Sequence, residues 1–178
     1  MAIARKDKLF AGYNGNLESV IVTSDGQNKL TFNAQGEVTN GVELTNGLFV
    51  HVGKLMEGGR ETKQATLANE PSLDVLFIHN AEVMYDERLH KLEDFKIPAG
   101  KVARGYRLYD GDIVTLTTDL FADEVAVGDV LVAKSNGKLA KINEVEDADA
   151  KVTFEVIEDC GYELHQAMGS FAVQISRN

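Results

Sequence analysis

One cysteine, two prolines and no tryptophan occur in 178 residues, and acidic side chains outnumber basic ones by 28 to 18. The lone Cys160 excludes an intramolecular disulfide framework. Its neighbours Glu158 and Asp159 are acidic and raise a thiol pKa, so Cys160 reads as a structural residue and not a nucleophile. Aromatic residues make up 7% of the chain, which argues against a sugar-binding platform of exposed rings. No apolar run approaches the roughly 20 residues that a membrane-crossing helix needs, so no membrane partner is expected. The charged opening residues lack an apolar core, so no secretory signal is expected either. A net charge of −10 argues against nucleic acid as a partner, because neutralising phosphates takes clustered Lys and Arg.

The charge is uneven. Residues 1–8 carry Arg5, Lys6 and Lys8 against Asp7, a balance of +2. Residues 143–163 carry Glu144, Glu146, Asp147, Asp149, Glu155, Glu158, Asp159 and Glu163 against Lys151, a balance of −7. Basic start and acidic flank are suited to complementary partners, to neighbouring copies, or simply to solvent.

What the chain has in plenty is turns. Asp25-Gly26, Gln35-Gly36, Asn40-Gly41 and Asn46-Gly47 follow one another closely. Gly111-Asp112 leads into Ile113-Val114-Thr115-Leu116, and Gly128-Asp129 leads into Val130-Leu131-Val132-Ala133. Ser135-Asn136-Gly137-Lys138 then turns the chain back into Leu139. Pairs able to adopt positive φ between β-rich runs predict hairpins. Strands are expected at 17–23, 29–33, 48–52, 62–67, 73–79, 102–108, 113–116, 130–134, 139–143, 151–158 and 170–176. The continuous apolar run Val75–Ile78 predicts burial on both faces. Residues 81–95 suit either period, and a loop with a short helix at 86–94 is expected there. The fold class is all-β, an antiparallel barrel or sandwich of short hairpins with at most one or two short helices. Residues 1–16 read as a flexible N-terminal arm and 17–178 as a β-rich body, with a small hairpin lobe at 17–47.

Chemistry is scarce. His51, His79, His90 and His165 stand apart, with no metal-ligand spacing among them or with Cys160. The acids at 144–149 lack the alternating loop and closing Glu of a calcium site. Asp110, Asp112, Asp123 and Glu124 are carboxylates beside turns, not a pair shown to face a cleft. Gly58-Gly59-Arg60 lacks the Lys-Ser/Thr of a phosphate loop. No catalytic, cofactor-binding or metal residue is assigned, and an enzyme is not expected.

Gly128-Asp129-Val130-Leu131 followed by Asn136-Gly137-Lys138-Leu139, within residues 97–142, resembles the small β-barrel modules of tailed-bacteriophage capsid decoration and minor head proteins. The resemblance implies a virion structural protein, made in the host cytoplasm, that binds the outer face of an assembled capsid and stabilises it. It implies the major capsid protein as partner and a homo-oligomer, with a trimer favoured, whose arm orders on a neighbour. Two alternatives stand beside it. One is a tail or head-fibre adhesin that binds a host surface glycan. The other is a lipoyl- or biotinyl-like carrier domain, for which Lys134 sits near a turn without the Asp-Lys-Ala or Met-Lys-Met setting.

Overall fold

The computed structural model describes residues 2–8, 17–82 and 94–178. It is nearly all β, 47% strand against 3% helix, which settles the class as barrel and sheet. The strands are β1 (Ala4–Lys8), β2 (Leu17–Val22), β3 (Phe49–Leu55), β4 (Lys63–Leu67), β5 (Leu76–Ile78) and β6 (Ala103–Arg107). They continue with β7 (Ile113–Thr117), β8 (Val130–Lys134), β9 (Lys138–Lys141), β10 (Val152–His165) and β11 (Met168–Arg177). Strands β2-β4-β3-β5-β6 close a barrel, and β1-β7-β11-β10-β8-β9 form an open six-stranded sheet. All pairings are antiparallel except β2 with β4.

Alternation along two strands explains how barrel and sheet join. Val50, Leu76 and Ile78 point into the barrel with Val20, Val22, Ala65 and Ala103. Phe49 and Phe77 point the other way, into a second core shared with Leu116, Leu131, Phe154 and Ile175 of the sheet. Strand β5 is therefore buried on both faces, which is why Val75–Ile78 carries no polar residue. The Phe49 ring meets Phe77 at 5.6 Å and Phe154 edge-on at 4.8 Å, so one side chain spans the seam.

The two Gly-Asp turns are the same structure used twice. In the first, Gly111 donates to the Ile175 carbonyl at 2.9 Å and Ile175 donates to the Asp112 carbonyl at 2.9 Å. In the second, Gly128 donates to the Val156 carbonyl at 2.8 Å and Val156 donates to the Asp129 carbonyl at 2.9 Å. Each aspartate Oδ2 accepts the amide three residues back, Tyr109 at 2.9 Å and Ala126 at 2.7 Å. The glycines have φ of +80° and +93°, which side-chain-bearing residues resist. One turn thus seats β7 on β11 and the other seats β8 on β10, on opposite flanks of the long β10–β11 hairpin. Asp112 is fully buried. Asp112→Ala is expected to cost about 1–3 kcal/mol, because the Tyr109 amide loses its acceptor. Asp129→Ala, at an exposed turn, is expected to cost clearly less, and paired urea melts check the order.

Three expectations need correction. The first half of the expected arm is strand β1, paired with β7 from Ala4↔Leu116 to Lys8↔Ile113, with Ile3 and Ala4 buried. Exposed Arg5 and Lys6 suit an edge strand, where the backbone supplies the attachment and small Ala4 enters the core. Residues 9–16 lie outside the described residues. The hairpin lobe at 17–47 is not a unit, because β2 is a stave of the barrel paired with β4 and β6. What projects is the loop between Thr23 and Gly41, and residues 29–33 hold only the isolated bridge Phe32↔Val38. Buried Asn40 organises that loop with its side chain: it accepts from the Thr31 amide at 2.9 Å and donates to the Lys29 carbonyl at 2.9 Å. The helix expected at 86–94 falls almost wholly outside the described residues.

Candidate interaction surface

Several of the residues singled out for chemistry are occupied with holding the fold. His51 contacts the Asp74 carbonyl through Nδ1 at 3.0 Å, and its Nε2 accepts the Asn69 and Glu70 amides at 3.2 Å each. His79 reaches the Ala4 carbonyl at 3.2 Å and so ties β1 to the barrel. Burial pushes its pKa down, and nearby Lys6 adds to the effect. His165 Nδ1 accepts the Ala167 amide at 3.1 Å within the β10–β11 turn. His90 lies outside the described residues.

Cys160 is half-buried, and burial together with Glu158 and Glu163 pushes its thiol pKa up. That is the opposite of what activates a nucleophile. Gly58 and Gly59 turn β3 into β4, with no helix after them to form a phosphate site. Asp123 accepts the Lys141 amide at 2.9 Å, and Asp110 accepts the Arg177 amide. No cleft carboxylate pair is formed by these groups.

Among the acids at 144–149, Asp147 alone turns inward. It accepts Lys134 Nζ at 2.6 Å and the Asn143 amide at 2.8 Å. Glu144, Glu146 and Asp149 are exposed, and among the described residues no three His, Cys, Asp or Glu side chains group as metal ligands. Burial pushes the Asp147 carboxyl up, but the Asn143 amide and the Lys134 ammonium outweigh it, leaving the pKa below the usual value. A depressed folded pKa contributes stability above the unfolded value, near pH 4, that is lost as pH falls through the folded one. Melting temperature is therefore expected to hold from about pH 7 to about pH 5 and to fall below about pH 4. Asp147→Asn should make that acid-side fall shallower, as thermal melts across the range will register. The same contact engages the amine of Lys134, the lysine that a carrier domain would need exposed.

A second network is marked by no local pattern in the sequence. Glu18 pairs with Lys63 at 2.6 Å and Arg107 at 3.1 Å, and Asp74 pairs with both Arg107 and Arg177. Burial pushes the Glu18 carboxyl up, but Lys63 and Arg107 prevail and hold it below the usual range. These residues come from five distant parts of the chain and tie β2, β4 and β6 to the last strand. Lys63, Asp74 and Arg107 also line, with His51, an open cavity of about 320 Å³. Every charged or imidazole group there already has a protein partner. Among the described residues, no buried side-chain nitrogen or oxygen lacks a hydrogen-bond partner. The cavity offers a salt-bridged wall and no poised acid, base or nucleophile.

The surface that stands out is the distal β10–β11 hairpin. Strand β10 pairs with β8 only at Phe154 and Glu155, and the Gly128-Asp129 turn extends that contact to Val156. Beyond this point, among the described residues, β10 has β11 as its sole strand neighbour. From Ile157 through the turn to Ala167 no residue is buried, and Tyr162 is 69% exposed. No protein-family model, curated protein or solved structure matches this chain.

Proposed function

We propose that this chain is a virion structural protein that binds the outer face of a tailed-phage capsid and stabilises it, acting on the major capsid protein as a homo-oligomer, with a trimer favoured. The observation that carries the reading is the outer edge of the β10–β11 hairpin: from Ile157 no strand lies beyond β10 among the described residues, and past Gly161 and Ser170 the hairpin runs on as two strands. A two-stranded tip alone is marginal in water, so an uncovered edge that ends in such a tip fits a binding role better than a scaffolding one. The polar groups of the 320 Å³ cavity are paired within the chain, which fits the same reading. The Gly128-Asp129 turn and the β8–β9 hairpin, on which the family resemblance rests, shape one flank of the open sheet.

The test is sedimentation of undecorated shells with purified protein at about micromolar concentration, where stable complexes of this kind are populated. Co-sedimentation at saturable stoichiometry is expected, with light scattering of the free protein giving a small closed oligomer. Protein that stays in the supernatant but binds host glycans on an array would transfer the reading to a fibre adhesin.

A further inference from the structure

Three surfaces compete for a further role. The apolar hollow between the 23–41 loop and the β3–β4 turn, with Phe32 60% exposed, has nothing beside it that selects an occupant. The acidic hollow around Glu146, Asp147 and Asp149 contains a carboxylate already committed to Lys134. The β10–β11 hairpin is different, because its geometry and its charge together select a kind of partner.

We infer that the hairpin from Ile157 to Ala167 is the docking element, and that it binds a basic surface of a different protein with Tyr162 as its anchor. This rests on the shell-binding reading for the identity of that protein, though not for its chemistry. Glu158, Asp159 and Glu163 lie on the hairpin, which carries no Lys or Arg from Ile157 to Ala167. Glu163 is engaged within the chain by Arg5 at 3.3 Å, and Asp159 Oδ1 accepts the Gly161 amide at 2.9 Å. Glu158 and the outer oxygen of Asp159 therefore remain as the charges to be met. A basic partner answers them, and complementary charge raises the association rate and rejects wrong partners. A tyrosine this exposed supplies contact area at small entropic cost and is a common energetic centre of interfaces.

A second copy of this chain is the wrong occupant for two reasons. The copy carries net charge −10, so its overall field repels an acidic hairpin. In addition, the β10 ladder shifts register between Val156 and Glu158, between Asp159 and Gly161, and between Gly161 and His165. Such irregularities break the flat edge that strand-to-strand pairing needs, and proteins use them to prevent self-association. Oligomerisation, on this view, uses another face.

The test compares two variants of equal net charge on the full chain. One is Glu158→Lys with Asp159→Lys on the hairpin, and the other is Glu144→Lys with Glu146→Lys on the exposed loop. Binding is measured to undecorated shells and, separately, to polylysine-coated beads at about 0.15 M salt, where distant charges are screened. All four positions are exposed, so both variants should melt within a few degrees of the parent. On each support the hairpin pair is expected to weaken binding at least tenfold and the loop pair less than threefold. Tyr162→Ala is expected to weaken shell binding at least tenfold with unchanged melting. Equal effects of the two charge pairs on the beads overturn the inference whatever the shells do. Should the parent fail on shells while the hairpin pair alone weakens bead binding, the shell reading falls and the basic-partner inference stands. Oligomers of the free protein that the hairpin pair dissolves would make a second copy the occupant and overturn it.

Discussion

Phe49→Ala is expected to destabilise the protein by about 3–5 kcal/mol, the range for truncating a fully buried phenylalanine. The size follows from the position of the ring. Phe49 is completely buried on β3, where its backbone belongs to the barrel and its side chain to the sheet core. Its neighbours Phe77 and Phe154 come from the two different layers, so truncation opens a void where barrel and sheet meet. Close packing leaves little slack to fill it. Phe154→Ala should cost a similar amount, and the double variant should cost less than the two singles together by about 0.5–1.5 kcal/mol, the worth of an edge-on aromatic pair. Guanidinium melts read both. A loss below about 1.5 kcal/mol for Phe49→Ala would mean that the seam collapses around the gap and that the two layers are not joined through this ring. Loss of a single cooperative transition would mean instead that this ring is what makes the layers unfold together.

How far such a seam can be read from sequence depends on whether its cause is local. Strands bounded by positive-φ glycines are legible because the turn residue and the β-rich run lie side by side. The expected 130–134 and 113–116 became Val130–Lys134 and Ile113–Thr117, and the two-sided burial of Val75–Ile78 was visible as an unbroken apolar run. Where attachment comes from the backbone or from a distant side chain, the sequence is silent. Strand β1 reads as a polar arm because an edge strand needs only ladder hydrogen bonds and one small buried residue. Residues 29–33 alternate like a strand, yet pairing with 37–39 stops at the Phe32↔Val38 bridge, and the Asn40 side chain takes up the Thr31 amide and the Lys29 carbonyl instead. Strand β10 runs to His165, past the expected end at 158, because pairing with β11 carries it through Asp159 and Gly161, which are poor strand formers. The site followed the same division. That Gly111-Asp112 and Gly128-Asp129 shape turns was legible, since both ends of each hydrogen bond lie within three residues. The Glu18-Lys63-Asp74-Arg107-Arg177 network was not, because no local pattern marks residues that meet only after the barrel closes. The projecting hairpin was legible as acidic charge, but its missing neighbour is a property of the sheet order.

Gly137→Ala is expected to cost about 3–4 kcal/mol, and the reason lies in where the β8–β9 turn goes. A hairpin tip ordinarily meets solvent. Here Ser135, Asn136 and Gly137 have φ of +60°, +59° and +81° in succession, and the tip docks on the barrel where β3 begins and β4 ends. Gly137 donates its amide to the Ala68 carbonyl at 2.8 Å and accepts the Phe49 amide at 2.8 Å, while the Asn136 amide reaches Asn69 Oδ1 at 2.7 Å. A methyl group at Gly137 would lie 2.7 Å from the Phe49 carbonyl oxygen, and that oxygen is fixed by the Ala68 amide at 3.0 Å. Two penalties therefore combine. Left-handed backbone at a residue bearing Cβ costs about 1–2 kcal/mol, and displacing the tip forfeits two cross-layer hydrogen bonds worth about 0.5–1.5 kcal/mol each. Gly128→Ala separates them, because Gly128 has φ of +93° but open space where its methyl would go. That variant should show the backbone penalty alone, about 1–2 kcal/mol. Equal losses at the two glycines in urea melts would sink the docked tip and leave the barrel and sheet joined by side-chain packing only. A larger loss at Gly137 identifies the turn as a backbone clasp across the same seam that Phe49 fills.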